Sequence, residues 1–121
     1  MSALGTALAF VTHASANSVL IESAIDFANT GDNIIVPAVS GQGIYVFKYF
    51  LVVGAAVDLT FWDGPSVSGN KLTGVISLAT NEAMVFTFDT RPWYSTTLGN
   101  AFIINASNSS QVSGRAYYLQ G

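Results

Sequence analysis

The chain has no cysteine among its 121 residues. That absence excludes disulfide staples, thiolate catalysis and zinc–thiolate sites, and it fits a protein made in a reducing cytoplasm. Histidine is almost absent too. His13 stands alone, so a transition-metal site has no second imidazole or thiolate to use. A nucleophile–histidine–acid triad would have to recruit His13, and no nucleophile-elbow motif accompanies it. Charge is the third scarcity. Only 9% of residues are charged, against about 25% in an ordinary soluble domain. The four basic residues, Lys48, Lys71, Arg91 and Arg115, are scattered and the net charge is −3. No basic stripe exists to track a phosphate backbone, so no nucleic-acid partner is expected. Long apolar runs are missing as well. The longest, residues 49–57, is bounded by Lys48 and Asp58 and falls far short of the roughly 20 residues that span a bilayer. Residues 1–10 lack a positively charged start and do not read as a signal peptide. No membrane partner is expected.

What is present is apolar and turn-rich. Half of the residues are hydrophobic. A domain of this size exposes a large surface for its volume, and this chain has too few charges to cover it. Ser, Thr, Asn and Gly supply part of the polar surface, and other chains are expected to bury much of the rest, because large apolar patches mark interaction sites. The length predicts one domain over 1–121, with residues 1–12 serving either as an extended arm or as the first strand. Turn signals such as Asn29-Thr30-Gly31-Asp32, Asp63-Gly64-Pro65 and Leu98-Gly99-Asn100 separate segments rich in β-branched and aromatic residues. Strands are expected near 6–12, 18–25, 33–39, 43–53, 57–63, 71–78, 83–89, 101–105 and 111–119. No segment carries a capped helical period. About nine short strands at this spacing predict an all-β fold, an antiparallel two-sheet sandwich of the jelly-roll type.

Alternation within the strands locates the core. Val57, Leu59 and Phe61 alternate with Asp58, Thr60 and Trp62, giving one dry and one mixed face. Segment 43–53 differs. Strict alternation puts Tyr45, Phe47, Tyr49, Leu51 and Val53 on one face and Ile44, Val46, Lys48, Phe50 and Val52 on the other. Both faces are apolar except at Lys48, so the second must be covered, by the N-terminal arm or by a neighbouring subunit. Pro37 marks an edge or an end of its strand, and Gly74 and Gly114 suggest bulges or close backbone approach.

Catalytic patterns are wanting. Asp58 and Asp63 have opposite parity in one strand. Glu22 and Asp26 share parity but lie roughly 13 Å apart in an extended chain, beyond the usual separation in glycoside hydrolases. Asp26, Asp32 and Asp63 form no calcium-loop pattern, and turn aspartates have an ordinary local role. Gly41-Gln42-Gly43 precedes no helix and is no phosphate loop. The sequons Asn105-Ala106-Ser107 and Asn108-Ser109-Ser110 are frequent by chance. The cluster Pro92-Trp93-Tyr94 sits in a long connection. Trp93 there plugs the end of the sandwich, joins a subunit interface, or stacks on a sugar ring. No cofactor, metal or enzymatic activity is expected.

The second half of the chain resembles small jelly-roll domains in structural proteins of tailed bacteriophages, including head decoration (cement) proteins. The likeness lies in the hydrophobic strand of residues 47–53, the small-residue step Gly54-Ala55-Ala56, the strand ending in Phe61-Trp62-Asp63-Gly64, and residues 72–78 and 84–88. It continues through the connection opened by Pro92-Trp93-Tyr94 and ends at 111–118. The resemblance implies a homotrimer displayed on the capsid surface of a virion, bound to the major capsid protein, assembled in the host cytoplasm and carrying no active site. Similar domains also occur in tail and fibre components. From the apolar faces and this resemblance, the expected interface residues are Phe10, Val11, Ile44, Val46, Phe50, Trp93 and Tyr94. The second reading is a carbohydrate-binding module of a tail or fibre, with Trp93, Tyr94 or Trp62 as the stacking platform.

Overall fold

A computed structural model describes residues 20–121. Its ten strands are β1 (Ile21–Phe27), β2 (Gly31–Val36), β3 (Ile44–Val53), β4 (Val57–Asp63), β5 (Asn70–Lys71), β6 (Ile76–Leu78), β7 (Ala83–Phe86), β8 (Tyr94–Ser95), β9 (Phe102–Ala106) and β10 (Val112–Gln120). The first sheet runs β1-β10-β3-β7, with β8 also on β3; the second runs β2-β9-β4-β5, with β6 also on β4. All pairings are antiparallel. β5 and β6 follow one another along the same side of β4, and β7 and β8 along the same side of β3, so each pair is one interrupted strand. The chain then fills eight positions and alternates between the sheets, except from β4 to β5 and β6, in the manner of a jelly roll. The expected strand 71–78 is interrupted, and the short β8 lies in what the sequence presents as a connection.

The core lies between the sheets and holds Ile25, Phe27, Tyr49, Leu51, Leu59, Phe61, Phe102 and Ile104. Each such side chain, taken fully from water, contributes about 1.5–3 kcal/mol. An aromatic group fills the centre: Tyr49 stacks on Phe86 with ring centroids 4.8 Å apart, and Phe61 lies 5.1 Å from Tyr94 and 5.9 Å from Phe102.

β3 does not alternate strictly. Opposite β10 the register pairs Lys48 with Tyr117 and Val46 with Tyr118, leaving Phe47 without a partner. This one-residue bulge inverts the parity of the strand. Ile44 and Val46 therefore face the core together with Tyr49, Leu51 and Val53, while Tyr45 and Phe47 face outwards and form a small second cluster with Leu119 and Leu20. The two-face assignment expected for 43–53 is corrected accordingly. Two strand segments lie along the other edge of β3: β8 pairs with Tyr45 and Val46, β7 pairs with residues 49–52, and residues 87–93 loop out between them. Gly114 on β10 is packed so tightly on β3 that a Cβ would collide with the Phe50 carbonyl oxygen. The close approach expected at this glycine is therefore real, whereas Gly74 has open space around it.

Candidate interaction surface

The outer face of the first sheet is divided. Towards β1 it is polar, with Glu22 and Arg115 joined at 2.9 Å. Towards β7 it is apolar. Phe50 and Val52 point outwards from β3 and are 42% and 41% exposed; Val85, the register partner of Phe50 on β7, is 65% exposed. These side chains form one contiguous strip on a flat, hydrogen-bonded surface. Lys48, on the same face, is drawn over the Tyr117 ring at 4.8 Å, which keeps its ammonium beside the strip but off it.

The expected interface residues separate into five groups. Phe50 lies on the strip. Ile44 and Val46 are fully buried between the sheets and take no part in a surface; the bulge at Phe47 is the reason. Trp93 is 43% exposed but committed within the chain. Its Nε1 donates to the Thr87 carbonyl at 2.8 Å, its ring meets Phe86 edge-on at 4.9 Å, and its backbone N donates to the Val46 carbonyl. It closes the 87–93 loop onto β3. Tyr94 reaches into the core, where its hydroxyl lies 2.8 Å from that of Tyr49. Phe10 and Val11 lie outside the described residues. Val52 lies on the same face of β3 as Phe50, as alternation places it, and Val85 joins them because β7 pairs with β3, which the sequence does not reveal.

The second sheet has its own outward apolar group. Asp32 accepts from the Ser66 backbone N at 2.9 Å and from Asn105 Nδ2 at 2.8 Å. Burial raises the Asp32 pKa, but these hydrogen bonds outweigh it and hold the carboxyl below its ordinary value. The turn of residues 65–69 is thereby tied across β9 to β2, and Ile103 on the outer face of β9 is only 3% exposed. The tied turn carries Val67, 92% exposed, and Ile34 on β2 is 63% exposed.

No group of three or more His, Asp or Glu side chains gathers among the described residues to hold a metal ion. No helix among them is long and apolar enough to cross a membrane. An open depression of about 480 Å³ lies at one end of the sandwich, lined by Val57, Asp58, Leu78, Glu82, Ser107 and Asn108. Two of its polar groups have partners: Glu82 accepts from the Ala79 backbone N within a turn, and Ser107 Oγ accepts from the Asp58 backbone N between distant segments. Asp63, almost fully buried, accepts from the Thr97 backbone N, Thr97 Oγ1 and Asn100 Nδ2 at 3.0, 2.7 and 3.0 Å. It is a structural latch between β4 and the 97–100 turn.

No family model matches the chain, and no curated protein matches it. Among solved structures it is similar to a subunit of Bacillus endospore appendages, described as a family of disulfide-linked pili. The similarity has a TM-score of 0.52 at 20% identity and covers 84% of this chain and 85% of that one. At this identity the likeness is one of fold. The β-sandwich is shared, whereas the disulfide linkage of the pili has no counterpart in a chain without cysteine.

Proposed function

We propose that this chain is a non-enzymatic structural subunit that works in many copies, and that its specific form is a decoration protein binding as a homotrimer to the major capsid protein on a phage virion. The observation that carries the reading is the exposed strip of Phe50, Val52 and Val85 on a rigid, hydrogen-bonded sheet. An apolar surface built on rigid strands serves contact. A fold relative that is a subunit of a polymeric surface appendage supports the coarser half of this reading. The finer half rests on the resemblance of the second half of the chain to cement proteins. For the carbohydrate-binding reading, Tyr94 is turned into the core, Lys71 lies over the Trp62 ring, and Trp93 stands edge-on to Phe86 while 43% exposed.

Light scattering on the full chain tests self-association; a species that remains monomeric at every concentration sinks it. Adding the protein to empty shells that lack it tests decoration. Bound shells are expected to resist heat better than bare ones, with only weak salt dependence because the surface is poor in charge. Deleting residues 2–11 separates an attachment arm (oligomer kept, shell binding lost) from a first strand (unfolding). Shells that never take up the protein, or gain no heat resistance from it, rule out the cement role.

A further inference from the structure

The outer face of β3 is covered at one end and open at the other. Tyr45 and Phe47 point away from the core yet are 2% and 0% exposed. Leu20 and Leu119 pack against them, and the Phe88 ring stacks on Phe47 at 6.0 Å. Further along the same face Phe50 and Val52 are 42% and 41% exposed, and Lys48, between the two halves, is drawn aside over Tyr117. The apolar track is therefore continuous, and its covered end is where the chain enters the sheet at Leu20. Residues 1–19 precede Leu20 and hold no Asp, Glu, Lys or Arg. Residues 12–18 are small and polar for the most part, whereas residues 4–11 include Leu4, Leu8, Phe10 and Val11. An uncharged apolar segment can lie on an apolar strip without stripping water from a charge.

Reach and proximity single out this segment as the occupant. β1 and β3 flank β10, so Phe50 lies two strand spacings across from Leu20 and about five residues along, roughly 20 Å away. The chain between Val11 and Leu20 can span about 30 Å when extended. A segment tethered this closely meets its own strip at an effective concentration in the millimolar range, above that of a second copy in dilute solution. We propose that in the free subunit residues 4–11 lie over the Phe50, Val52 and Val85 strip of the same chain, and that a neighbouring copy displaces them on assembly. This inference rests on the reading of the strip as a contact surface and adds what occupies it beforehand. The arm is then a guard that holds association back until copies are concentrated enough to compete with it.

The lack of cysteine in the chain permits a direct test by thiol cross-linking. Two double variants of the full chain carry Phe10→Cys in the arm. The second thiol is Val85→Cys in one and Ala24→Cys in the other; Ala24 is exposed on β1, nearer to Leu20 than the strip is. A bifunctional thiol reagent in dilute solution is expected to link Phe10→Cys to Val85→Cys within one chain at least about tenfold faster than to Ala24→Cys. A tether ranging freely would favour Ala24, and equal or inverted rates overturn the proposal. Links formed between chains overturn it in favour of arm exchange while leaving self-association intact. Deleting residues 2–11 is expected to strengthen self-association at least about tenfold by sedimentation velocity, and Val85→Asp in the shortened chain to cancel that gain. Should the shortened chain melt early, Leu8→Ser/Phe10→Ser in the full chain takes its place. A chain that associates no better without its arm overturns the guard role. Full and shortened chains that both stay monomeric sink the self-association reading and the displacement with it, whereas a faster Val85 link would still place the arm on the strip.

Discussion

The hydroxyl oxygens of Tyr49 and Tyr94 lie 2.8 Å apart inside the aromatic core, joining the middle of β3 to the short strand β8. Their rings are 5.6 Å apart, and Phe61 lies against both. A buried hydroxyl needs a partner, and here each supplies the other. Either single change, Tyr49→Phe or Tyr94→Phe, leaves a lone buried hydroxyl and is expected to cost about 1–3 kcal/mol. The double change removes both polar groups and should cost less than the two singles added together. Denaturant titrations of the four proteins form the cycle; strict additivity would show that the pair is not coupled.

The same pair makes the fold sensitive to alkali. Burial is the main cause that pushes both phenols above their ordinary pKa; for Tyr49 the hydrogen bond and proximity of Tyr94 add to it, while for Tyr94 the bond to Tyr49 partly opposes it. In the unfolded chain both ionise near pH 10. Above that value the unfolded state binds fewer protons than the folded one, so stability present in full below about pH 10 falls as pH rises. The expected slope is up to about 1.4 kcal/mol per pH unit for each tyrosine that ionises only on unfolding. Tyrosinate absorbance followed alongside circular dichroism checks this: ionisation of these two groups should coincide with loss of structure, and Tyr49→Phe/Tyr94→Phe should flatten the slope.

Asp63 holds the 97–100 turn with three donated hydrogen bonds. The turn in turn secures the start of β3, where the Ile44 backbone N donates to Thr96 Oγ1 and the Thr96 backbone N to the Ile44 carbonyl. Asp63→Ala leaves those donors without an acceptor and should cost about 1–3 kcal/mol, a fall of roughly 4–8 °C in Tm for each kcal/mol. Asp63→Asn, which keeps one acceptor oxygen, should fall between. A thermal melt unchanged in Asp63→Ala would show that the latch is redundant.

Trp93 is half exposed, and its replacement is expected to cost less than that of a fully buried tryptophan. Loss of the Thr87 hydrogen bond and the edge contact with Phe86 should amount to about 1–3 kcal/mol in Trp93→Ala, combining the hydrogen-bond and aromatic-pair contributions. The damage should be local. Hydrogen exchange is expected to quicken at residues 87–93 while β10 and the centre of β3 stay protected. Uniform loss of protection would mean that Trp93 supports the whole sandwich.

Alternation, turn residues and the absence of cysteine were enough by themselves to determine an all-β chain without thiol or disulfide chemistry. They also determined the inward faces of simple strands such as β4, where Val57, Leu59 and Phe61 face the core as their spacing requires. The exposed position of Phe50 followed as well, because a strand apolar on both sides must present one to something outside its own core. What the tertiary structure alone decided is which residues share that outer face. Strand periodicity is two, so one extra residue inverts every assignment beyond it, and Phe47, the residue that bulges, is one of several aromatic residues in β3 with no turn-forming chemistry to mark it. The register slip at Phe47, between the Lys48–Tyr117 and Val46–Tyr118 pairs, sends Ile44 and Val46 inwards. Val85 joins Phe50 and Val52 only through the pairing of β7 with β3, strands distant in the chain, which local spacing cannot encode.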